Sequence, residues 1–258
     1  MKRTIITLVA AVSLPVFVLA QGRGGQQPPR TPKDAAPVDL AGYWVSLVTE
    51  DWRWRMVTPI KGDSASVPIN QAAKKVMDAW DPAKDEADGN QCRSYGAAAI
   101  MRVPGRLRIT WQDDNTLKIE TDAGTQTRLL RFGDKPASSD APSWQGYSAA
   151  RWDPGLAPVG GQLGIGLGPR QGVRTRSLEV VTTNLKPGYL RKNGIPYSDK
   201  TTVREYFERF SEPDGNEHLM VMTIVEDPTY LAVPFVTTTD FKKEPDASKW
   251  DPSPCSAR

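Results

Sequence analysis

Two short stretches of this sequence concentrate side chains that can bind and move charge. The first is Glu50-Asp51-Trp52-Arg53-Trp54-Arg55, with two carboxylates, two guanidiniums and two indoles in six consecutive residues. Read as an extended segment, it places Trp52 and Trp54 on one side and Asp51, Arg53 and Arg55 on the other, because side chains alternate along a strand. A ligand ring would stack on the indoles while an arginine holds its carboxylate or phenolate. The second stretch is Tyr189-Leu190-Arg191-Lys192-Asn193-Gly194-Ile195-Pro196-Tyr197, a loop shaped by Gly188, Asn193-Gly194 and Pro196. A tyrosine beside a cation can have a lowered pKa and act as a general acid or base without a metal. In that chemistry Asp51 or Glu50 is the base, Tyr189 or Tyr197 the acid, and Arg55 or Arg191 the anion holder. The purely structural reading has the tryptophans plugging the fold and the charges pairing internally, the second loop's cations with Glu226 and Asp227.

The elements that must position these residues are strands. Apolar and β-branched runs occupy 40–48, 106–112, 116–121, 125–132, 144–152, 176–183, 201–210 and 217–225, followed by an extended tail containing Phe235–Phe241. Turn signals separate them: Asp113-Asp114-Asn115, Asp122-Ala123-Gly124 and Pro213-Asp214-Gly215. One helix is expected at 70–80, in the long first connection, with Asn70 as its N-cap and Trp80-Asp81-Pro82 as its stop. The fold class is therefore all-β. Eight consecutive strands, mostly joined by short turns, close economically into an antiparallel barrel without exposed edges; a two-sheet sandwich is the rival. The apolar set (Leu107, Ile109, Trp111; Leu219, Val221, Val225) is expected inside. The opposing set, with Arg106, Arg108, Gln126, Arg128, Gln145, Tyr147, Arg204, Tyr206 and Glu208, would then face outward. Strict alternation assigns connections 49–105, 122–124, 153–175 and 211–216 to one end, so Asp122 joins the first stretch. Connections 113–115, 133–143, 184–200 and 226–234 go to the other end, so Tyr230 joins the second. The two stretches are thus expected at opposite ends.

The first residues read as a cleavable secretory signal: Lys2 and Arg3, an apolar run from Ile5 to Leu19 interrupted by Pro15, and Val18-Leu19-Ala20 as the cleavage site. Residues 21–39, rich in Gly, Gln and Pro, read as a flexible leader, and 40–258 as one domain. The expected location is periplasmic or secreted, where Cys92 and Cys255, the chain's only cysteines, pair as a disulfide. No stable membrane insertion is expected after signal cleavage. Lys2 and Arg3 supply two of the three excess positive charges, so the remainder is near +1 and presents no electrostatic case for nucleic acid. His218 is the sole histidine, in a strand and without GxSxG, so neither a histidine metal site nor a serine triad is expected, and no cofactor is called for. The glycine-rich run Gly160–Gly166 does not lead from a strand into a helix, as phosphate binding requires.

Gly42-Tyr43-Trp44 on the first strand, followed by seven meandering strands, resembles the lipocalin or calycin pattern, in which a GxW motif plugs one end of the barrel. The phrases EDWRWRM (50–56), YGAAAIMRVPGR (95–106), DAGTQTR (122–128) and PGYLRKNGIPYS (187–198) resemble a group of uncharacterised exported bacterial proteins. The lipocalin resemblance implies a cup holding a small organic molecule, although some lipocalin-like barrels are hydratases or cyclases. Three readings follow. One is a binding barrel for an amphipathic or aromatic ligand, held by Glu50, Trp52, Arg53, Trp54, Asp122, Asn193 and Tyr230. Another is a metal-free lyase, isomerase or hydrolase using Asp51, Arg55, Tyr189, Arg191 and Tyr197. The third is an envelope accessory protein tethered by its leader.

Overall fold

Burial that alternates along most of the barrel strands wraps this chain around an apolar interior. The structure is a computed structural model, and it describes residues 30–133, 141–153 and 177–258. The expected signal peptide, the first part of the leader and the run Gly160–Gly166 lie outside the described residues. In chain order the elements are β1 (Gly42–Leu47), α1 (Trp52–Arg55), α2 (Gln71–Ala79), α3 (Pro82–Ala87), two single-turn 3₁₀ helices (Arg93–Tyr95, Ile100–Arg102), β2 (Arg106–Asp113), β3 (Thr116–Thr121), β4 (Thr127–Phe132), β5 (Tyr147–Trp152), β6 (Ser177–Thr183), β7 (Gly188–Arg191), β8 (Ile195–Tyr197), β9 (Thr202–Ser211), β10 (Glu217–Glu226) and β11 (Phe235–Glu244).

The closed barrel has the order β1-β11-β10-β9-β6-β5-β4-β3-β2, so it contains nine strands rather than eight. The ninth is the expected tail. Phe235, Thr237, Thr239, Phe241 and Glu244 are buried along β11, which pairs with β10 on one side and β1 on the other. Its threonine-rich, charge-ended sequence disguised a strand that seals the wall. β7 and β8 form a separate two-stranded hairpin.

A second departure decides where the chemistry lies. β4 and β5 pair in parallel, whereas the other neighbouring strands pair antiparallel. β5 therefore starts at the same end of the barrel as β4, and every later connection changes ends relative to strict alternation. Connections 48–105, 122–126, 184–201 and 227–234 all emerge at one end, here called the upper end, while β5 ends and β6 begins at the other, beside the turns at 114–115 and 212–216. The residues after the crossover confirm the return: Ala97 N–H donates to Trp144 O at 2.8 Å, and Gln145 Nε2 donates to Tyr95 O at 2.7 Å. The two charged stretches, expected apart, share one end.

The apolar set faces inward. Trp44, Ile109, Leu117, Ile119, Val180, Phe207, Val221 and Phe241 fill the lumen and are essentially unexposed. Each such side chain contributes roughly 1.5–3 kcal/mol by its burial. Arg128 departs from the outward set and turns in. It forms a bidentate pair with Glu205 (Nη1–Oε1 3.0 Å, Nη2–Oε2 2.6 Å), and its Nη2 also donates to Thr182 Oγ1 at 3.2 Å. Packed this way, the lumen is a core rather than a cup. Its lower end is covered by residues 30–40, part of which was expected to be leader. Trp152 Nε1 donates to Pro32 O at 2.8 Å, Lys33 N–H donates to Asp114 O at 3.2 Å, and Leu40 enters the core.

The expected helix is α2, and Asn70 Oδ1 accepts from both Ala72 N and Ala73 N. Beyond β11 the chain climbs the outside of the barrel. Trp250 meets Tyr43 edge-on, Ser253 N–H donates to Asp122 O, and Cys255 reaches Cys92 at disulfide distance, with Cα atoms 5.1 Å apart. No helix among the described residues is long and apolar enough to cross a membrane.

Candidate functional site

The first stretch is not extended. Asp51 adopts a left-handed conformation (φ 54°) and starts the turn α1, with Arg55 N–H donating to Asp51 O at 3.1 Å. A helical turn replaces two-residue alternation with a three-to-four-residue period. Trp52 consequently points into solvent, 62% exposed, and Arg55 points into the protein, 8% exposed. Trp54 lies between them, its Nε1 donating to Asp63 Oδ2 at 3.2 Å.

The second stretch arrives on the β7–β8 hairpin, whose turn is locked from behind. Gly194 (φ +84°) sits so close to Trp80 that a Cβ there would lie 2.3 Å from the indole. Arg191 projects from this turn. Its Nη1 donates to Ala65 O at 2.7 Å and its Nη2 to Ser66 Oγ at 2.9 Å, while its guanidinium lies 5.1 Å from the Trp54 ring centre. A third arginine comes from the 3₁₀ turn at 100–102. Arg102 Nη2 pairs with Asp51 Oδ2 at 2.7 Å, and Arg102 O accepts from Arg55 Nε at 3.1 Å. Arg55 Nη1 is 3.4 Å from Glu50 Oε1.

These pieces wall a cleft of about 330 Å³ on the upper end of the barrel, outside the lumen. Arg55, Arg102, Arg191 and Lys192 supply its cations, and Trp54, Tyr95, Val103, Pro104 and Leu190 contribute apolar or aromatic surface. The tail completes the rim through Ser253, and Lys192 Nζ donates to Arg258 O at 3.2 Å. The three arginines are 5–8% exposed, yet each keeps a buried nitrogen without a protein partner: Arg55 Nη2, Arg102 Nη1 and Arg191 Nε. Burial, then the neighbouring Arg102 cation, lowers the pKa of Arg55 and brings that of Arg191 down to about 10. Such lowering marks cations gathered where water is scarce.

Of the expected site residues, Trp54, Arg55 and Arg191 line this cleft, with Glu50 and Asp51 supporting two of its arginines. Others stand elsewhere. Arg53 is largely exposed, 3.8 Å from Asp63. Asn193 is buried and fastens the 60–63 loop, donating from Nδ2 to Ile60 O and Asp63 O. Asp122 organises its turn by accepting from Arg106 N and Ala123 N. Tyr230 lies beside Asp227, which accepts from the backbone of Thr229 and Tyr230 and from Ser198 and Thr201 rather than pairing with the hairpin's cations. Tyr189 accepts from Arg93 Nη1 at 3.1 Å, and burial raises its pKa. Tyr197 is fully buried in the second apolar cluster, and burial raises its pKa as well. Neither tyrosine lines the cleft or carries the lowered pKa expected of a tyrosine beside a cation.

Arg102 escaped the sequence reading. Its signal was an arginine at the end of Ala97-Ala98-Ala99-Ile100-Met101, a run that is buried throughout and carries the guanidinium inside with it. Among the described residues, no group of three or more His, Cys, Asp or Glu stands at metal-binding spacing. No protein-family model, curated protein or solved structure matches this chain, so its architecture rests on the closed barrel itself and its chemistry on the cleft.

Proposed function

We propose that this protein is an exported small-molecule-binding barrel of calycin-like architecture, and that its amphipathic or aromatic organic ligand occupies the upper cleft rather than the lumen. The observation that carries the reading is the meeting of the Trp54 ring with three buried arginines in one cleft. An apolar wall with a few convergent polar groups is what a ligand site requires. The packed lumen argues against a cup-type interior. The paired cysteines and the secretory-type N-terminus support an oxidising compartment. The acid/base alternative draws little from the site, because Asp51 and Glu50 are engaged with arginines and both candidate tyrosines lie elsewhere.

The test is titration of intrinsic tryptophan fluorescence with a panel of aromatic acids. The chain has eight tryptophans, so Trp54→Phe assigns the signal. Saturable quenching in the native protein that disappears in Trp54→Phe is the expected result. Quenching that persists unchanged in Trp54→Phe, or none with any panel member, would remove this cleft as the ligand site.

A further inference from the structure

We infer that the upper end of the barrel is a docking face for an anionic lipid bilayer, which Trp52, Met56, Val57 and Ile60 enter at headgroup depth. The protein rests on the membrane surface without spanning it, and its cleft opens beside the contact.

Hydrophobic burial fails on one loop. Trp52, Met56, Val57 and Ile60 are 60–79% exposed within nine residues. Met56 follows Trp52 by four residues across the turn α1, so the two share a side. The loop is held from beneath rather than loosely attached. Arg55 and Pro59 are buried, Trp54 Nε1 donates to Asp63 Oδ2, and Asn193 Nδ2 donates to Ile60 O and Asp63 O. A second apolar group, Val233 and Val236, reaches the same end and is more than half exposed. A groove walled by Val67, Pro68, Pro234 and Val236 joins it to the continuation of the first loop. Arg102 ties the two together, pairing with Asp51 at the start of α1 while its guanidinium lies 5.8 Å from the Phe235 ring centre. The other exposed large apolar side chains among the described residues are Val76, on α2, and Phe210, which stacks on His218. Fixed apolar side chains gathered at one end and left in water mark a contact surface.

Charge selects the occupant. Residues 52–62 carry Arg53 and Lys61 as exposed cations and contain no carboxylate. Glu50 and Asp51, just before, are engaged by Arg55 and Arg102, and Asp63, just after, lies between Trp54 and Arg53. Elsewhere at this end exposed acids and bases are mixed, as with Asp199 beside Lys200, so the positive sign is local to the apolar loop. Indole and basic side chains settle together at a membrane–water interface, where phosphate headgroups supply the opposite charge. A bilayer has no fixed shape, so it accepts apolar tips from two separate loops at once. Met56 and Thr58 also wall the cleft, which gives an amphipathic ligand a short path between bilayer and protein.

The experiment is co-sedimentation of the secreted protein, freed of its N-terminal apolar run, with vesicles of phosphatidylcholine alone and of phosphatidylcholine with an equal part of phosphatidylglycerol. The mixed vesicles are expected to bind it more tightly, and added salt to weaken that binding. Trp52→Ser/Ile60→Ser removes two anchors and is expected to weaken it about ten-fold or more. Arg53→Gln/Lys61→Gln should reduce the affinity for mixed vesicles to that for phosphatidylcholine alone. Phe210→Ser, on β9, should change nothing. The substituted side chains are exposed, so the variants are expected to fold, which circular dichroism verifies. No vesicle binding by the native protein, or binding unchanged in Trp52→Ser/Ile60→Ser, would overturn the inference. Equal binding to both kinds of vesicle would overturn its anionic part. Self-association of the native protein in sedimentation velocity, abolished in Trp52→Ser/Ile60→Ser, would give the face to a second copy and overturn the lipid assignment. None of these results touches the small-molecule reading, which Trp54→Phe tests on its own.

Discussion

The Arg128–Glu205 pair tests whether the lumen is a core. Its side chains are 1% and 0% exposed, and two hydrogen bonds join them. Replacing Glu205 with Leu leaves the Arg128 cation buried with only the Ser148 and Thr182 hydroxyls for company. Stranding one member of a buried pair costs about 3–5 kcal/mol, and Arg128→Met is expected to cost about the same. For a domain of this size that is a loss of roughly 6–20 °C in Tm. The double variant Arg128→Met/Glu205→Leu strands nothing and adds apolar contacts among Ala150, Val180 and Phe207, so it is expected within about 2 kcal/mol of the native protein. Urea unfolding of the four proteins gives the cycle. The double variant should fall at least about 2 kcal/mol short of the sum of the singles. Plain additivity would mean that the two charges do not depend on one another, and that water or a ligand already reaches them inside the barrel.

Three further outcomes follow from the same structure. Converting Cys92 and Cys255 to serine opens a loop of sequence separation 163 and should cost up to about 5 kcal/mol by chain entropy, read as a fall in denaturation midpoint that dithiothreitol reproduces in the native protein. Asp240 has its pKa raised, first by burial and then by Glu50, from an ordinary value of 3.8; its favourable contribution is present below that value and is lost as pH rises through the folded one. Asp240→Asn should therefore stabilise at pH 7, with the gain shrinking towards pH 3, and thermal melts across that range would show the opposite trend if Arg55 governed this carboxylate. Tyr197 carries a buried hydroxyl with no protein partner, so Tyr197→Phe should be neutral or stabilising by about 1 kcal/mol and leave ligand binding unchanged. Loss of binding in a folded Tyr197→Phe protein would restore that tyrosine to the site.

Local chemistry was legible in the sequence wherever one residue type does one job. Asn70 caps α2, the cysteines meet, the apolar alternation of β2 and β10 faces inward, and the strand starts and stops at 106–121 and 217–226 fall close to where turn residues put them. Pairing across the sheet was not legible, because it depends on partners distant in sequence. Nothing in Phe132 or Tyr147 states that β4 and β5 run parallel, yet that choice carried Arg191 to the same end as Arg55. The threonines of β11 likewise read as tail until β1 and β10 are seen on either side. Arg102 was hidden for a related reason: a lone arginine in an apolar run has no local signature of the two arginines that it will meet.

The closure of the barrel also has a cost in time. β1 is the first strand among the described residues, but it is held between β2 and β11, and Leu47 finds Asp240 only after almost the whole domain exists. The covalent ring from Cys92 to Cys255 contains the other eight barrel strands and leaves β1 outside. Contacts so distant in sequence form slowly, and until they do both edges of the seam stay open to pairing with other chains. In a chain that emerged N-terminus first, the β11-facing edge of β1 would wait longest for its partner, so the β1–β11 seam is where a chaperone or an aggregate would meet the unfinished barrel.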